Sequence, residues 1–166
     1  MNEFKIFQNK LLAAHIIWEF AKSYEEHNPN KQPPNLLLAL PVLPICLNIR
    51  SVNAIKDRNY KEGSLFKVIE EERDIFSGLQ ARMENMARLT LESIYLAAVS
   101  NLILFDRETF DIIALKKNIP DKINKSLVKD YQDLLSSSRR LGSWFSNMNI
   151  SEISLHSLLV AVNFTS

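Results

Sequence analysis

The groups with the plainest capacity for chemistry are three histidines, one cysteine and a short run of acids. His15, His27 and His156 are far apart in the sequence, and none has a second histidine or cysteine at helical or hairpin spacing to help hold a metal ion. His15 lies in an apolar stretch, where a hydrogen-bonded core or interface histidine is expected. Cys46 is the single cysteine, so neither an intramolecular disulfide nor a thiolate-rich metal site can form. Set within LLLALPVLPICL, it reads as a buried structural thiol. Glu70, Glu71, Glu72 and Asp74 could gather a cation, but a solvated helix face is the better reading. The sequence holds no GxSxG, P-loop, GxGxxG or HExxH pattern. The expectation is a protein that is not an enzyme, with no catalytic residue, metal ligand or cofactor.

The cations point to binding. Lys116, Lys117, Lys122, Lys125 and Lys129 alternate with acids and read as a mixed surface. Arg139, Arg140 and Trp144 are of the types enriched where proteins grip one another. Arg140 and Trp144 are one helical turn apart and flank an apolar stripe. Two readings are open for Trp144, an interface anchor or a residue that completes the core. The whole chain has 20 basic and 19 acidic residues, a formal net charge of +1. No chain-wide field favours nucleic acid or anionic lipid.

These residues need elements to position them, and the pattern is mainly helical. The chain has 166 residues, 46% of them hydrophobic and only three of them Gly. That suits one domain, residues 1–166, with helices rather than a turn-rich sandwich. Residues 1–8 are expected to be extended, with Asn9 capping a first helix that is apolar from Leu11 to Ala21 and includes Trp18. So little polar face requires that helix to be central or covered by another subunit. NPNKQPP ends it. Two short buried helical pieces follow, with breaks near Pro41 and Pro44, and then a polar connection to Gly63 holding one more short helix. A helix capped by Ser64 should bury Leu65, Val68, Ile69 and Phe76. A second begins at Ser77, and a third, capped by Thr90, should bury Ile94, Tyr95, Ala98 and Val99. LILF and FDIIAL, joined by Asp106–Thr109, read as a β-hairpin. A charged connector from Lys116 leads to a long helix from Ser126 toward Phe145, in which Ser138 and Gly142 share a stripe where a neighbouring backbone could come close. A last short helix starts at Ser151. The helices over 9–62 and 126–162 would pack on the unit at 64–117.

Three helices followed by a hairpin is the order of a winged helix, a fold that often reads DNA through its third helix. Between Arg88 and Arg107 there is no Lys or Arg, and Glu92 stands where bases would be met. Phosphate neutralisation and base reading need Arg, Lys, Asn or Gln, so a protein-binding use of the unit is favoured. The alternative is backbone contact with DNA through Arg107, Lys116 and Lys117. The longest uncharged apolar run, Leu36 to Leu47, is shorter than the roughly 20 residues of a membrane span. The opening MNEFKIFQNKLLAAH also lacks the order of a signal peptide. A cytoplasmic protein is expected.

Several segments resemble one family. FQNKLLAAHIIWEFAKSY is similar to its opening, LLLALPVLPICLNI to its Leu-rich segment, and TLESIYLAAVSNLILFDRETFDI to its helix and hairpin. Arg139-x-Leu141-Gly142-x-Trp144-Phe145 resembles its C-terminal signature. The family is the middle component of bacterial three-component ABC (Lamassu-like) anti-phage systems. The resemblance implies a non-catalytic adaptor that holds an effector, often a nuclease, on an SMC- or Rad50-like ABC ATPase and relays DNA sensing, with any contact to DNA made through the complex. Phe7, Gln8, Trp18, Arg139, Arg140 and Trp144 are the expected partner-binding residues. One departure stands out: the family usually has Gly after its final Leu-Leu, where this chain continues Leu158-Leu159-Val160.

Overall fold

Glu3–His27 form a single helix, α1, in the computed structural model, and the rest of the core is laid against it. The structure describes residues 3–61, 63–115 and 129–148, with side chains from 10 in the first span, from 131 in the last, and not at Ile75. The extended start expected for residues 1–8 is corrected, because the helix is already formed at Glu3 and Asn9 lies inside it. No Gly or Pro stands before Pro29, and a single interior Asn costs a helix only some tenths of a kcal/mol (~0.7 at most). Ala13, Ala14, Ile16, Ile17, Trp18, Phe20 and Ala21 are all buried, so α1 is central and this chain covers it itself.

Leu36–Ala39 (α2), Val42–Cys46 (α3) and Ile49–Ile55 (α4) follow. Asn35 caps α2 by accepting from the Leu38 N–H, and Asn48 caps α4 by accepting from Arg50 and Ser51. The expected break at Pro41 is present. The one at Pro44 is not, because Pro44 sits in the first turn of α3, where its missing N–H has no helical acceptor to lose. Among the described residues no single helix is long and apolar enough to cross a membrane. The bent pair Leu36–Cys46 and Ile49–Ile55 passes by length and composition, but it turns through 103° and its apolar side chains largely enter the core.

Ser64–Glu71 (α5) and Arg73–Phe76 (α6) bury Leu65, Val68, Ile69 and Phe76, the inward set read from the sequence. The cap of α5 is Gly63, at φ 87°, and Ser64 is the first helical residue, its hydroxyl donating to Asn59. Leu79–Val99 (α7) then runs 21 residues without interruption. The helices expected from Ser77 and Thr90 are therefore one, and α7 is the helix that leads into the hairpin. Nothing in LQARMENMARLTLESIYLAAV breaks a helix, and Thr90 lies buried within it rather than capping one.

Ile103–Phe105 (β1) and Ile112–Ala114 (β2) form the expected antiparallel hairpin, with Leu104 opposite Ile113. Asn101, at φ 59°, makes the reversal out of α7. In the turn the Asp106 carboxylate accepts from the Glu108 and Thr109 N–H groups, and Phe110 takes a left-handed φ of 62°. The Leu36 N–H donates to the Phe110 carbonyl and the Ile112 N–H to that of Pro34, tying the hairpin to the loop before α2.

Lys129–Ser146 (α8) packs along α1 more extensively than any other described element. The contact is close because small residues line it. A Cβ on Gly142 would lie 2.6 Å from the Phe20 carbonyl oxygen, the Ser138 hydroxyl donates to the Ile16 carbonyl at 2.6 Å, and Ser23 donates to the Arg139 carbonyl. This is the approach the Ser138–Gly142 stripe implied. The connector from Lys116, the first residues of the expected helix and the last helix from Ser151 lie outside the described residues.

Candidate partner-binding groove

Helix α7 is apolar on two sides in its second half. Thr90, Ile94 and Ala97 turn into the core, as does Ser93, whose hydroxyl donates to the Leu89 carbonyl one turn back. Leu91, Tyr95 and Val99, at i, i+4 and i+8, are left 51%, 69% and 57% exposed. Tyr95 and Val99 were expected to be buried. Both carry apolar surface, but α1 covers the face a quarter-turn away. The hairpin stands opposite. Leu104 and Leu115 are about half exposed, and with the α7 face they wall a groove of about 490 Å³. Ile94, Ala98, Ile103 and Phe105 lie deeper in it, and Asn101 and Arg107 are its polar members. Its size and its mainly apolar lining with few polar groups are those common in binding clefts.

The charges around it are sparse. Hydrogen bonds from Lys10 and Arg88 lower the pKa of Glu92 below its ordinary value, and it faces those two cations rather than the groove. Arg107 is exposed and has no ion pair among the described residues. Two smaller apolar hollows exist elsewhere. Leu37 and Phe110 line one of about 310 Å³, and Leu47, Ile49 and Leu134 one of about 200 Å³.

Most residues expected to bind partners are instead engaged within the chain. Trp18 is fully buried, and the Lys22 ammonium sits 4.7 Å from its ring centre. Trp144 is 2% exposed and its indole N–H donates to the Asn59 carbonyl, so it completes the core. Arg139 pairs at 2.9 Å with Glu19, a carboxylate buried on α1 that also meets Lys22 at 3.5 Å. The Arg140 guanidinium lies over the Tyr60 ring, donates to the Arg58 carbonyl and reaches Ser136. The Arg-Trp signature thus ties α8 to α1 and to the loop after α4. Of the named residues whose side chains the structure describes, Arg107 alone lines the groove. The side chains of Phe7 and Gln8, and Lys116 and Lys117 altogether, lie outside the described residues.

The ionisable groups singled out first are likewise internal. His15 Nδ1 shares a hydrogen bond with the Tyr131 hydroxyl, and burial holds its pKa below the ordinary value against an opposing pull from Glu19. Burial pushes the Cys46 thiol far up, so the sulfur stays protonated. In the acidic run, Glu71 pairs with Arg58 and Asp74 with Arg50.

Fold and groove together define a mainly helical protein with one hairpin and an open apolar groove. The chain belongs to the ABC-three component (ABC-3C) system Middle Component 3 family, whose model matches residues 1–158. Membership implies partnership with the other components of such a system. No curated protein and no solved structure matches the chain.

Proposed function

We propose that this protein is a non-catalytic adaptor that bridges an SMC- or Rad50-like ABC ATPase and an effector nuclease, and relays DNA sensing from one to the other in cytoplasmic anti-phage defence of the Lamassu type. Family membership supports the partnership, since a middle component has other components to join. The observation that carries the binding reading is the α7–hairpin groove, because its apolar walls sit in water in the isolated chain. Exposed apolar patches of this kind mark protein contacts. The expected binding residues therefore move from the Arg-Trp signature to Leu91, Tyr95, Val99, Leu104 and Leu115, with Arg107 kept.

The test is co-expression of the three components with a tag on one of the others. Tyr95→Lys places a charge in the groove at a position 69% exposed, so the fold should tolerate it. Recovery of the middle component should fall by on the order of tenfold, as expected when about 1.4 kcal/mol of binding is lost. Full recovery of Tyr95→Lys in the complex would remove the groove from the reading. Hydrolysis of DNA or nucleotide by the purified chain alone would end the non-catalytic one.

A further inference from the structure

The hairpin register shows what kind of segment the groove can hold. In an antiparallel ladder, residues alternate between turning their N–H and C=O toward the partner strand and turning them away. The Leu115 N–H donates to the Leu102 carbonyl and the Asp106 N–H to the Asp111 carbonyl. These pairs fix the phase, and Leu104 opposite Ile113 falls between them in the same phase. Leu104 therefore spends its main-chain groups on β2. Ile103 and Phe105 turn theirs to the other edge of β1, and among the described residues β1 pairs with β2 alone. That edge borders the groove. The lining includes all three β1 residues, whereas the other side of the hairpin contributes only Leu115, beyond the end of β2. Two N–H and two C=O groups therefore edge a cleft whose far wall is the Leu91–Tyr95–Val99 face of α7.

We propose that the groove takes an extended segment of another component, added to β1 as a third strand, with apolar side chains on the α7 face and a carboxylate at the Arg107 end. This rests on the adaptor reading and names the form of its contact. Strand addition supplies main-chain hydrogen bonds to a free edge and leaves alternate side chains for wall pockets. A helix would bury its own main-chain groups and leave those of Ile103 and Phe105 unanswered, at a desolvation penalty for each. Charge decides the polarity of the occupant. Among the described residues Arg107 is the only charged one that lines the groove, and it has no ion pair there, so an apolar segment with one acidic group complements the cleft.

The experiment compares amide hydrogen exchange, resolved by residue, in the full chain alone and in the complex co-purified with the other two components. The Ile103 and Phe105 amides should exchange readily in the free chain and slow by on the order of tenfold or more in the complex. Arg107→Glu should reduce recovery in the complex by on the order of tenfold, with Arg107→Lys restoring most of it. Loss of assembly in Tyr95→Lys together with unchanged exchange at Ile103 and Phe105 overturns strand addition and leaves the adaptor reading standing. Assembly unaffected by Tyr95→Lys overturns both. An Arg107→Glu variant that assembles normally overturns the acidic occupant. A free chain that runs as a dimer with both amides already protected shows that a second copy fills the edge, and overturns the proposal.

Discussion

Replacing Gly142 with Ala tests the contact on which the fold is centred. The added Cβ would lie 2.6 Å from the Phe20 carbonyl oxygen and 2.9 Å from both the Ser23 Cβ and the Tyr24 nitrogen. Two of these three atoms are backbone of α1, so no rotamer change relieves the clash. Ordinary contact begins about 0.8 Å further out, and helix α8 must retreat by a distance of that order. A gap of that size forfeits roughly a quarter to a half of each dispersion contact it opens. The contacts at stake include Phe20 with Phe145, whose rings pack edge to face at 5.7 Å. Overpacking of this kind costs about 1–3 kcal/mol, and the length of the contact places this case at the upper end. Alanine returns about 1 kcal/mol through its better helix propensity, leaving about 2 kcal/mol net destabilisation. In a chain of this size that lowers Tm by about 4–8 °C, measured by circular dichroism or calorimetry. Gly78→Ala is the internal control, because its Cβ meets nothing within 4 Å, and it should stay within about 0.5 kcal/mol of the parent. If Gly142→Ala melts at or above the parent temperature, α1 and α8 are not apposed through Gly142 and the packing argument fails.

Trp144→Ala should destabilise the chain by about 3–5 kcal/mol in denaturant titration, since it empties a core site and strands the Asn59 carbonyl. An interface residue would leave the midpoint unchanged and affect only assembly. Asn48→Ala removes the acceptor for the Arg50 and Ser51 N–H groups and should cost about 1 kcal/mol, read from the same titration. His15 gives a pH dependence. Its folded-state pKa is lowered by burial, so the unfolded chain binds the proton more readily. Its contribution to stability is complete above the ordinary value of about 6.5 and declines as pH falls below it. Tm should therefore drop between pH 7.5 and pH 5.5 more in the parent than in His15→Gln, and equal slopes would show that His15 titrates freely.

What could be read from the sequence is what local chemistry decides. The apolar stripe of α8 fixed its buried face, and the small residues at Ser138 and Gly142 marked where a second backbone passes. LILF and FDIIAL, with an acid-rich turn between them, could hardly be anything but a hairpin. The inward set of α5 and α6 followed from spacing alone. Errors came where a signal was permissive rather than decisive. Thr90 can cap a helix or sit buried in the middle of one, and only the absence of any breaker between Leu79 and Val99 argued for the latter. Pro44 could break a helix or open one, depending on a start point two residues away.

The candidate site was harder to see, for a reason that hydrophobic periodicity cannot overcome. Spacing says that Leu91, Tyr95 and Val99 share a face, but not whether this chain or another covers it. Leu91–Tyr95–Val99 and Tyr131–Leu134–Leu135 look alike as patterns. The second set packs against the core and the first is half or more exposed. Thr90, Ile94 and Ala97 bury one face of α7, and Leu91, Tyr95 and Val99 lie on the neighbouring face, on the side where the hairpin stands. The Arg-Trp signature has internal partners that its spacing did not reveal. Arg139 balances a carboxylate buried on α1, and a buried charge needs its partner whatever else binds. In this chain the residues that look most like an interface tie the scaffold together, and the proposed interface is a stretch of apolar residues left exposed among the described residues.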